Sequence, residues 1–224
     1  VGNSIDNANN SFLSDLNEII FSGDIALFFT SHEHQGRSRE RLKLFYSKYG
    51  DFVSGIKLYD SNKNEFTLKK EANEWLEQTF ILHIQEELTT SEKLIYSNRK
   101  FEYFLPVYTN NAAIMNIVIT VDYQKYFSEI FSAFNLKDYQ WQWVIGEDGN
   151  VIYSNNEFRQ AFSGLDKIIN EIRDGYSGNL RHKAETGTGI QEVISSYYST
   201  QLLQRDIGIV FSSPTDVFQK YIIR

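Results

Sequence analysis

The amino-acid sequence predicts an α+β protein in which a long N-terminal helix precedes two antiparallel-sheet modules in tandem. Residues 141–154 alternate between apolar and polar positions around an Asp-Gly turn at 148–149, which predicts a tight β-hairpin. Residues 55–68 carry the same pattern, and two such hairpins indicate an internal duplication. Apolar residues also recur at three- and four-residue steps within residues 5–20, as on one face of a helix.

The first fifty residues are predicted to be mainly helical. A first helix covers residues 1–22 and ends at Gly23. A short apolar segment at 25–29 leads to a second helix over residues 37–49. Gly50 is predicted to end this helix as a C′ glycine.

The first module begins with a hairpin over residues 54–69. The next segment, residues 72–87, is predicted to be a helix because Trp75, Phe80 and Ile84 stand at near-helical spacing.

Three strands are predicted after that segment, over residues 94–96, 99–108 and 112–121. Pro106 indicates a sheet edge or a bulge, because proline cannot donate to a strand ladder. A connecting helix over residues 123–134 is predicted to lead into the second module.

The second module repeats this plan in shortened form. Its hairpin is followed by a helix over 158–174 ending at Gly175, a polar glycine-containing loop over 176–189, antiparallel strands over 191–201 and 206–212, and a last helix opened by Ser213-Pro214. Residues 218–223 become increasingly apolar, which fits a helix that approaches a membrane and fits a buried terminal helix equally well.

Composition narrows the classes of function. The 224 residues carry a formal charge of −7 and a pI near 5.2, which argues against a nucleic-acid binder because phosphate neutralisation needs a basic surface. Cysteine is absent, so there is no disulfide, thiol nucleophile or thiolate metal site. No apolar run approaches the roughly 18 residues of a membrane helix. We expect the sequence, which opens with Val and a polar stretch, to be a piece of a longer protein.

Three segments resemble double Cache (tandem PAS-like) extracytoplasmic sensor domains of bacterial histidine kinases, diguanylate cyclases and chemoreceptors. KLYDSNKNEFTL (57–68) matches the first strand and turn of the family, and FLPVYTNNAAIMNIVITVDYQKYF (104–127) resembles its closing strands and inter-domain helix. WVIGEDGNVIYS (143–154) is similar to the opening of the membrane-proximal module.

The resemblance implies an organisation and a setting. Residues 1–50 would form a helical dimer stalk, 51–136 a membrane-distal PAS-like module, and 137–224 a membrane-proximal PAS-like module with an exit helix. It also implies a homodimer along the N-terminal helix and transmembrane helices outside both ends. The domain would lie on the extracytoplasmic (periplasmic) face of the membrane and bind a small molecule in the distal module.

One departure from the family bears on the ligand. Members that bind amino acids carry an Arg-x-Trp-Tyr run where this sequence reads NEWLEQTFILHIQ (73–85). Asp122 matches the acidic residue at the end of the last distal strand. A single match does not support an amino-acid ligand, so the expected ligand is an unidentified small polar molecule or carboxylate.

The candidate ligand-binding residues all lie in the first module: Trp75, Tyr96, Arg99, Tyr103, Tyr108 and Asp122. Arg99 and Tyr103 on one strand face could fix a carboxylate, or could mark an exposed strand edge. Asp122 could meet an ammonium group, but Asp before a helix is favoured as an N-cap. The aromatic residues could wall a pocket, although aromatic residues at such spacing are more often core.

The sequence proposes no catalytic residue, cofactor or metal. His32-Glu33-His34 invites a metal interpretation, but a solvated loop is favoured because no third ligand is evident. Gly187-Thr188-Gly189 lacks the third glycine of a dinucleotide loop, and no nucleophile elbow, Walker motif or His-Glu-x-x-His pair occurs.

The leading hypothesis is therefore a ligand-sensing input domain of a membrane receptor, with a histidine kinase preferred as the full-length protein, that acts by population shift. A protein-interaction module without a small-molecule ligand is the first alternative, and the sensor of a diguanylate cyclase or chemoreceptor is another. A hydrolytic enzyme ranks last because no nucleophile–base motif is present.

Overall fold

A computed structural model describes residues 2–81, 87–97, 99–132, 141–155, 165–186, 189–203 and 205–216. The chain divides into two compact units, each described by itself below. The first unit comprises residues 10–126, and the second comprises residues 1–9 together with 127–224. Helices α1 and α3 each contribute residues to both units.

The elements from the N-terminus to α3 are α1 (Gly2–Phe21), a 3-10 helix (Ile25–Leu27), α2 (His32–Tyr49), β1 (Val53–Asp60), β2 (Asn64–Glu71), β3 (Glu74–Ile81), β4 (Lys93–Ser97), β5 (Lys100–Thr109), β6 (Ala112–Asp122) and α3 (Tyr123–Ser132). They are followed by β7 (Trp141–Gly146), β8 (Val151–Ser154), α4 (Leu165–Arg173), β9 (Gly178–Thr186), β10 (Gly189–Leu202) and β11 (Arg205–Pro214).

Two antiparallel sheets have matching topology. The first sheet has the strand order β3-β2-β1-β6-β5-β4, and the second has the order β8-β7-β11-β10-β9. When β3 is set aside, each sheet follows the same order, with its opening hairpin at one side and its last strand in the centre. The predicted duplication and the predicted α+β class are therefore confirmed.

The core of the first unit lies between one face of its sheet and the helices α1 and α2. Phe12 of α1 packs against Phe45 and Tyr49 of α2, with ring centroids 5.3 and 5.0 Å apart. Phe28 follows the 3-10 helix and contacts Phe66 of β2 at 4.8 Å. Helices α1 and α2 can both pack on this sheet because their apolar residues repeat at helical spacing along one face.

In the second unit, helix α4 packs on its sheet. Ile168 and Ile172 of α4 are buried with Trp143, Ile145 and Val210 of the strands. The helix ends as its sequence predicts. Gly175 has φ +78°, and the N–H of Tyr176 donates to the Glu171 carbonyl over 2.8 Å, as in a Schellman C-cap.

The predicted helix over residues 72–87 is wrong where the structure describes it. Residues 74–81 form strand β3, which pairs with β2 from Glu71↔Glu74 to Asn64↔Ile81. Ala72 and Asn73 have φ of +48° and +71°, so a two-residue turn sends the chain back along β2. Tertiary pairing overrides the apolar spacing here. Residues 82–86 lie outside the described residues.

The predicted loop over residues 176–189 is also wrong, because residues 178–186 form the edge strand β9. It pairs with β10 from Tyr197↔Gly178 to Gly189↔Thr186. An edge strand leaves one ladder side and one face to solvent, which accounts for its polar sequence.

Helix α2 begins at His32, earlier than the predicted Arg37. Gly50 does not take the left-handed conformation predicted for it, since its φ is −66°. A Cβ there would lie 2.8 Å from the Tyr46 carbonyl oxygen, so the close approach of backbone requires glycine.

Ser213-Pro214 does not open the last helix as predicted, because β11 runs through Pro214. Of the residues predicted to follow in that helix, only Thr215 and Asp216 are described, and both are helical. Pro106 lies beside a register shift between Val107 and Tyr108, as the predicted bulge requires. The start of the predicted helix over 158–174 and the end of the one over 123–134 fall outside the described residues. None of the helices in the described ranges has both the length and the apolar character needed to span a membrane.

Candidate functional site

The first sheet has a second face, turned away from the helix-packed core. Tyr59 of β1 is paired with Asn116 of β6, and Pro106 of β5 is paired with the same Asn116. Paired residues share a face, and successive residues along a strand point to opposite faces. Phe66, which contacts the helical region through Phe28, is paired with Leu58 on the other face. We call the face that carries Lys57, Tyr59, Glu65, Asn116 and Val118 the second face.

Asn116 is the most informative residue on the second face. It is fully buried, with 0% of its surface exposed. Its Nδ2 donates to Thr89 Oγ1 over 2.5 Å, whereas its Oδ1 accepts no hydrogen bond from the described residues. A buried acceptor without a donor costs about 1–3 kcal/mol, so such a group points to an additional donor at this position.

Charged groups of both signs border Asn116 on the same face. Lys57 Nζ lies 3.8 Å from Glu65 Oε2, which is a loose ion pair. The same ammonium stands 5.2 Å from the centre of the Tyr59 ring, and Glu65 is paired with Tyr59 across β1 and β2. A cation, an anion, a phenol and an amide therefore lie close together on this face, which also carries Thr67 and Thr120. Convergent polar groups of this kind occur in small-molecule sites.

Residues 87–92 are hydrogen-bonded to side chains of β1, β5 and β6. Tyr59 Oη donates to the Glu87 carbonyl over 3.4 Å, and Tyr108 Oη donates to the Thr90 carbonyl over 2.5 Å. Tyr103 donates to the Glu92 carboxylate. Burial, followed by the bond to the Glu92 carboxylate, raises the pKa of the Tyr103 phenol, so it stays a donor at neutral pH.

The predicted ligand-binding residues occupy several places. Tyr103 and Tyr108 both bond to the 87–92 segment, and Tyr108 lines a groove of about 240 Å³ with Glu92 and Leu105. Trp75 is half-buried and packs edge-on against the buried Tyr46 of α2 at 5.3 Å.

Tyr96 is exposed, with its ring 6.3 Å from that of Phe101. The sequence predicted that Arg99 shares a strand face with Tyr103, and this prediction is wrong. Arg99 lies exposed in the β4–β5 turn with φ +66°. Ser97 is paired with Lys100, so only two residues connect the strands. Arg99 is one of them and therefore lies in the tight turn rather than in the ladder.

Asp122 caps helix α3. Its Oδ1 accepts hydrogen bonds from the N–H groups of Gln124 at 3.0 Å and Lys125 at 3.1 Å. This is the N-cap interpretation that the sequence favoured. Ligand contact by Asp122 or by the other five candidates stays a prediction.

Sequence reasoning missed Tyr59, Asn116 and the segment 87–92. Asn116 did carry a signal, because it is the one amide within the apolar run of residues 114–119. A polar residue in a central, buried strand is costly unless it has a partner or a purpose. The contacts of residues 87–92 had no comparable signal, because they depend on where the chain crosses the sheet.

The His32-Glu33-His34 segment is the start of helix α2, so the predicted loop is wrong. His34 Nδ1 lies 2.6 Å from Asp24 Oδ1, and Arg37 Nε and Arg41 Nη2 stand 3.4 and 3.5 Å from the same carboxylate. Within the described ranges, no group of three or more His, Asp or Glu side chains is placed to hold a metal ion.

Solved structures share this fold. No protein-family model matches the sequence, and no curated protein sequence matches it. The periplasmic sensory domain of the Campylobacter jejuni chemoreceptor Tlp1 gives a TM-score of 0.62 over 95% of this chain and 91% of its own, at 13% identity. The extracellular domain of mmHK1S-Z3, named as a histidine kinase, gives 0.64 over 97% and 94%, at 11% identity.

A domain of a sensory box/GGDEF family protein from Vibrio parahaemolyticus gives a TM-score of 0.52 over 96% of this chain and 94% of its own, at 12% identity. The chain thus has the tandem PAS-like fold of extracytoplasmic sensor domains, and the resemblance found in its sequence is confirmed at the level of the fold.

Proposed function

We propose that this chain is the extracytoplasmic sensing domain of a transmembrane signalling receptor, with a sensor histidine kinase as the full-length protein. The support is the fold, which it shares with sensory domains of chemoreceptors, histidine kinases and a GGDEF protein. In this proposal the first unit is membrane-distal, and membrane helices flank the sequence on both sides. The domain itself does no catalysis and serves as an input module.

The single observation that carries a ligand-binding role is the buried, unsatisfied Oδ1 of Asn116 on the second face. The ligand would be a small polar molecule whose N–H or O–H donates to this oxygen. A carboxylate or other anionic group on the ligand would compete with Glu65 for the Lys57 ammonium, whose 3.8 Å pairing is loose. This assignment centres the site on Asn116, Tyr59 and Lys57. Tyr103 is paired with Ile119 on the opposite face, and it is linked to the site only by its hydrogen bond to the 87–92 segment.

Binding would act on signalling by population shift. Helix α1 contributes residues 10–21 to the first unit and earlier residues to the second. In the second unit, Asp6 accepts from Thr200, and Asn9 Oδ1 accepts from the Leu203 N–H at 3.2 Å. A ligand that favours one position of α1 against the first sheet would therefore bias a helix that is also anchored to strand β10.

A thermal-shift screen of small polar metabolites against the 224-residue domain tests this function. We expect at least one compound to raise the Tm by several degrees. A ligand that binds only the folded state produces a shift of about this size when its concentration is far above its Kd. Asn116→Leu, close in shape but without the acceptor, should lose that shift. Asn10→Leu, an exposed position on α1, is the matched control and should keep it.

Two outcomes would contradict the ligand-binding role. The first is a library in which nothing stabilises the unsubstituted protein. The second is a stabilising compound whose effect survives in Asn116→Leu, which would move the site away from the second face.

A homodimer through the N-terminal helices is part of the proposal. Leu44 on α2 is 70% exposed and lines a groove of about 270 Å³ with Ile19 of α1 and Phe45. Exposed apolar surface of this kind marks interaction sites. Sedimentation measurements that compare Leu44→Glu with the unsubstituted domain test this dimer. Identical masses for the two proteins at every concentration would exclude this surface as the dimer interface. The same surface supports the alternative of a protein-interaction module with no metabolite ligand.

A further inference from the structure

Four polar side chains form a hydrogen-bonded row across four adjacent strands of the second sheet. Trp143 Nε1 on β7 donates to Ser212 Oγ on β11 over 2.8 Å. Ser212 Oγ lies 2.6 Å from Ser195 Oγ on β10, which lies 2.6 Å from His182 Nε2 on β9. We call these four residues the buried row.

The buried row lies on the apolar face of the sheet. Ser195 and Ser212 are directly paired, and Trp143 belongs to the core that α4 covers. All four side chains are buried, and both serines are fully buried. Polar groups in such a place cost free energy unless each is hydrogen-bonded, so the row is sensitive to any change in its proton count.

The direction of the hydrogen bonds depends on the tautomer of His182, because each serine can donate once and accept twice. The indole N–H of Trp143 can only donate, so Ser212 accepts from it. In the neutral imidazole whose Nε2 is unprotonated, Ser195 donates to Nε2 and Ser212 donates to Ser195. The row is a directional chain that ends on an imidazole acceptor.

Adding a proton to His182 reverses this chain. Nε2 becomes a donor, so Ser195 must accept from it and turn its own proton toward Ser212. Ser212 then receives hydrogen bonds from both Trp143 and Ser195, and its own proton loses its acceptor within the row. The protonated state is therefore a different hydrogen-bond arrangement.

The charged surroundings of His182 do not alter this logic. On its own face it is flanked by Leu180 and Ala184 on β9 and is paired with Val193 on β10. The charged side chains of α4, the helix that covers that face, are Asp166, Lys167, Glu171 and Arg173. Glu171 accepts from Tyr197 and lies 3.8 Å from Lys167, and Arg173 donates to the Glu147 carbonyl.

The other charged residues near this position on β9 and β10 are Arg181, Lys183 and Glu192, which alternation places on the opposite face. Arg181 and Glu192 pair with each other at 2.6 Å.

We propose that His182 is a proton-sensing site of the second unit, whose protonation reverses the buried row from β9 to Trp143. Imidazole is the side chain that changes charge between about pH 5 and 8, the range in which an extracytoplasmic environment varies. Ser212 lies two residues before β11 ends at Pro214. Acidification would thus change the hydrogen bonding of the strand that leads out of the sheet. This site does not depend on the ligand proposed for the first unit.

NMR of the complete 224-residue domain tests the proposal. The indole N–H cross-peak of Trp143, assigned with Trp143→Phe, is followed from about pH 8 to about pH 5 together with the histidine ring nitrogens. We expect the Trp143 peak to titrate with the same midpoint as the His182 ring. His182→Gln retains a hydrogen-bonding group but does not titrate, so the Trp143 peak should stay fixed. His32→Gln, an exposed histidine of the first unit, should leave the titration intact.

A Trp143 peak that does not move over this range, or that still titrates in His182→Gln, overturns the proposal. If His182→Gln does not fold, the ring spectrum of the unsubstituted protein decides alone. An unprotonated Nε2 at about pH 8 and a shared midpoint with Trp143 support the site, and a protonated Nε2 at that pH refutes it.

Discussion

Asp24 shows how one buried carboxylate can organise the entry to a helix pair. It precedes the 3-10 helix and receives His34 Nδ1 at 2.6 Å and Arg37 Nε at 3.4 Å. The hydrogen bond with His34, followed by the charges of Arg37 and Arg41, lowers the Asp24 pKa below its ordinary value of 3.8. Three side chains of α2 therefore hold the segment between the two helices through a single acceptor.

This arrangement predicts an acid-sensitive contribution to the stability of the first unit. A carboxyl whose pKa is lowered by folding stabilises the protein above its ordinary pKa, and the contribution is lost as pH falls from 3.8 toward the folded value. Asp24→Asn should therefore be less stable than the unsubstituted protein at neutral pH, and the difference should shrink in acid. Urea unfolding followed by tryptophan fluorescence at a series of pH values measures it.

Asp51→Asn is the matched control, because Asp51 is exposed in the turn after α2. It should preserve the pH profile. An Asp24→Asn profile parallel to that of the unsubstituted protein would show that the carboxylate charge is not what stabilises this contact.

At the scale of elements, the sequence predicted best those features that are encoded locally. The opening hairpins close with the same device. Asp60 accepts from the N–H groups of Asn62 and Asn64 and from the Asn64 amide, and Asp148 accepts from the N–H and side chain of Asn150. Asx-turns of this kind are set by residues a few positions apart, so both hairpins could be predicted.

Strands β3 and β9 could not be predicted in this way, because each exists through a partner strand. The apolar residues of β3 are spaced almost as in a helix, and only pairing with β2 decides the outcome. The same reason explains the candidate site. Tyr59 and Asn116 meet because β1 pairs with β6, a long-range contact that no local pattern encodes.

The β2–β3 turn carries a testable strain. Ala72 has φ +48°, where a Cβ costs about 1–2 kcal/mol. Asn tolerates this conformation, so Ala72→Asn should raise the free energy of unfolding by about 0.5–1 kcal/mol. Ala72→Val should lower it, because a β-branched side chain is disfavoured there. Urea unfolding of both variants measures the two changes, and an Ala72→Asn protein no more stable than its parent would refute the strain.

At the scale of the whole molecule, the two sheets share one strand order but are packed against their helices by different side chains. The sequence revealed the repeat through its hairpins, but not the way in which each sheet is covered. The first sheet carries aromatic rings toward α1 and α2, whereas the second places Gly208 beneath α4, beside larger residues such as Trp143 and Val210. These choices depend on side chains that are distant in sequence, so composition and periodicity do not contain them.

Gly208 of β11 gives this difference a test. A Cβ at Gly208 would lie 2.1 Å from Ile172 Cδ1 and 2.9 Å from Ile172 Cγ1, so α4 is seated on the bare backbone. Gly208→Ala should lower the free energy of unfolding by about 1–3 kcal/mol through overpacking. Gly55→Ala, in β1 of the first sheet, is the matched control, because the nearest side-chain atom to its Cβ would be Lys69 Cγ at 3.7 Å.

Hydrogen exchange followed by mass spectrometry locates the loss. We expect Gly208→Ala to reduce protection in the β10 and β11 peptides and to leave β5 and β6 unchanged, because each compact unit has its own core. An equal loss of protection in both sheets would show instead that the two units unfold as one cooperative structure. In that case the two units, which share helices α1 and α3, would have one common stability.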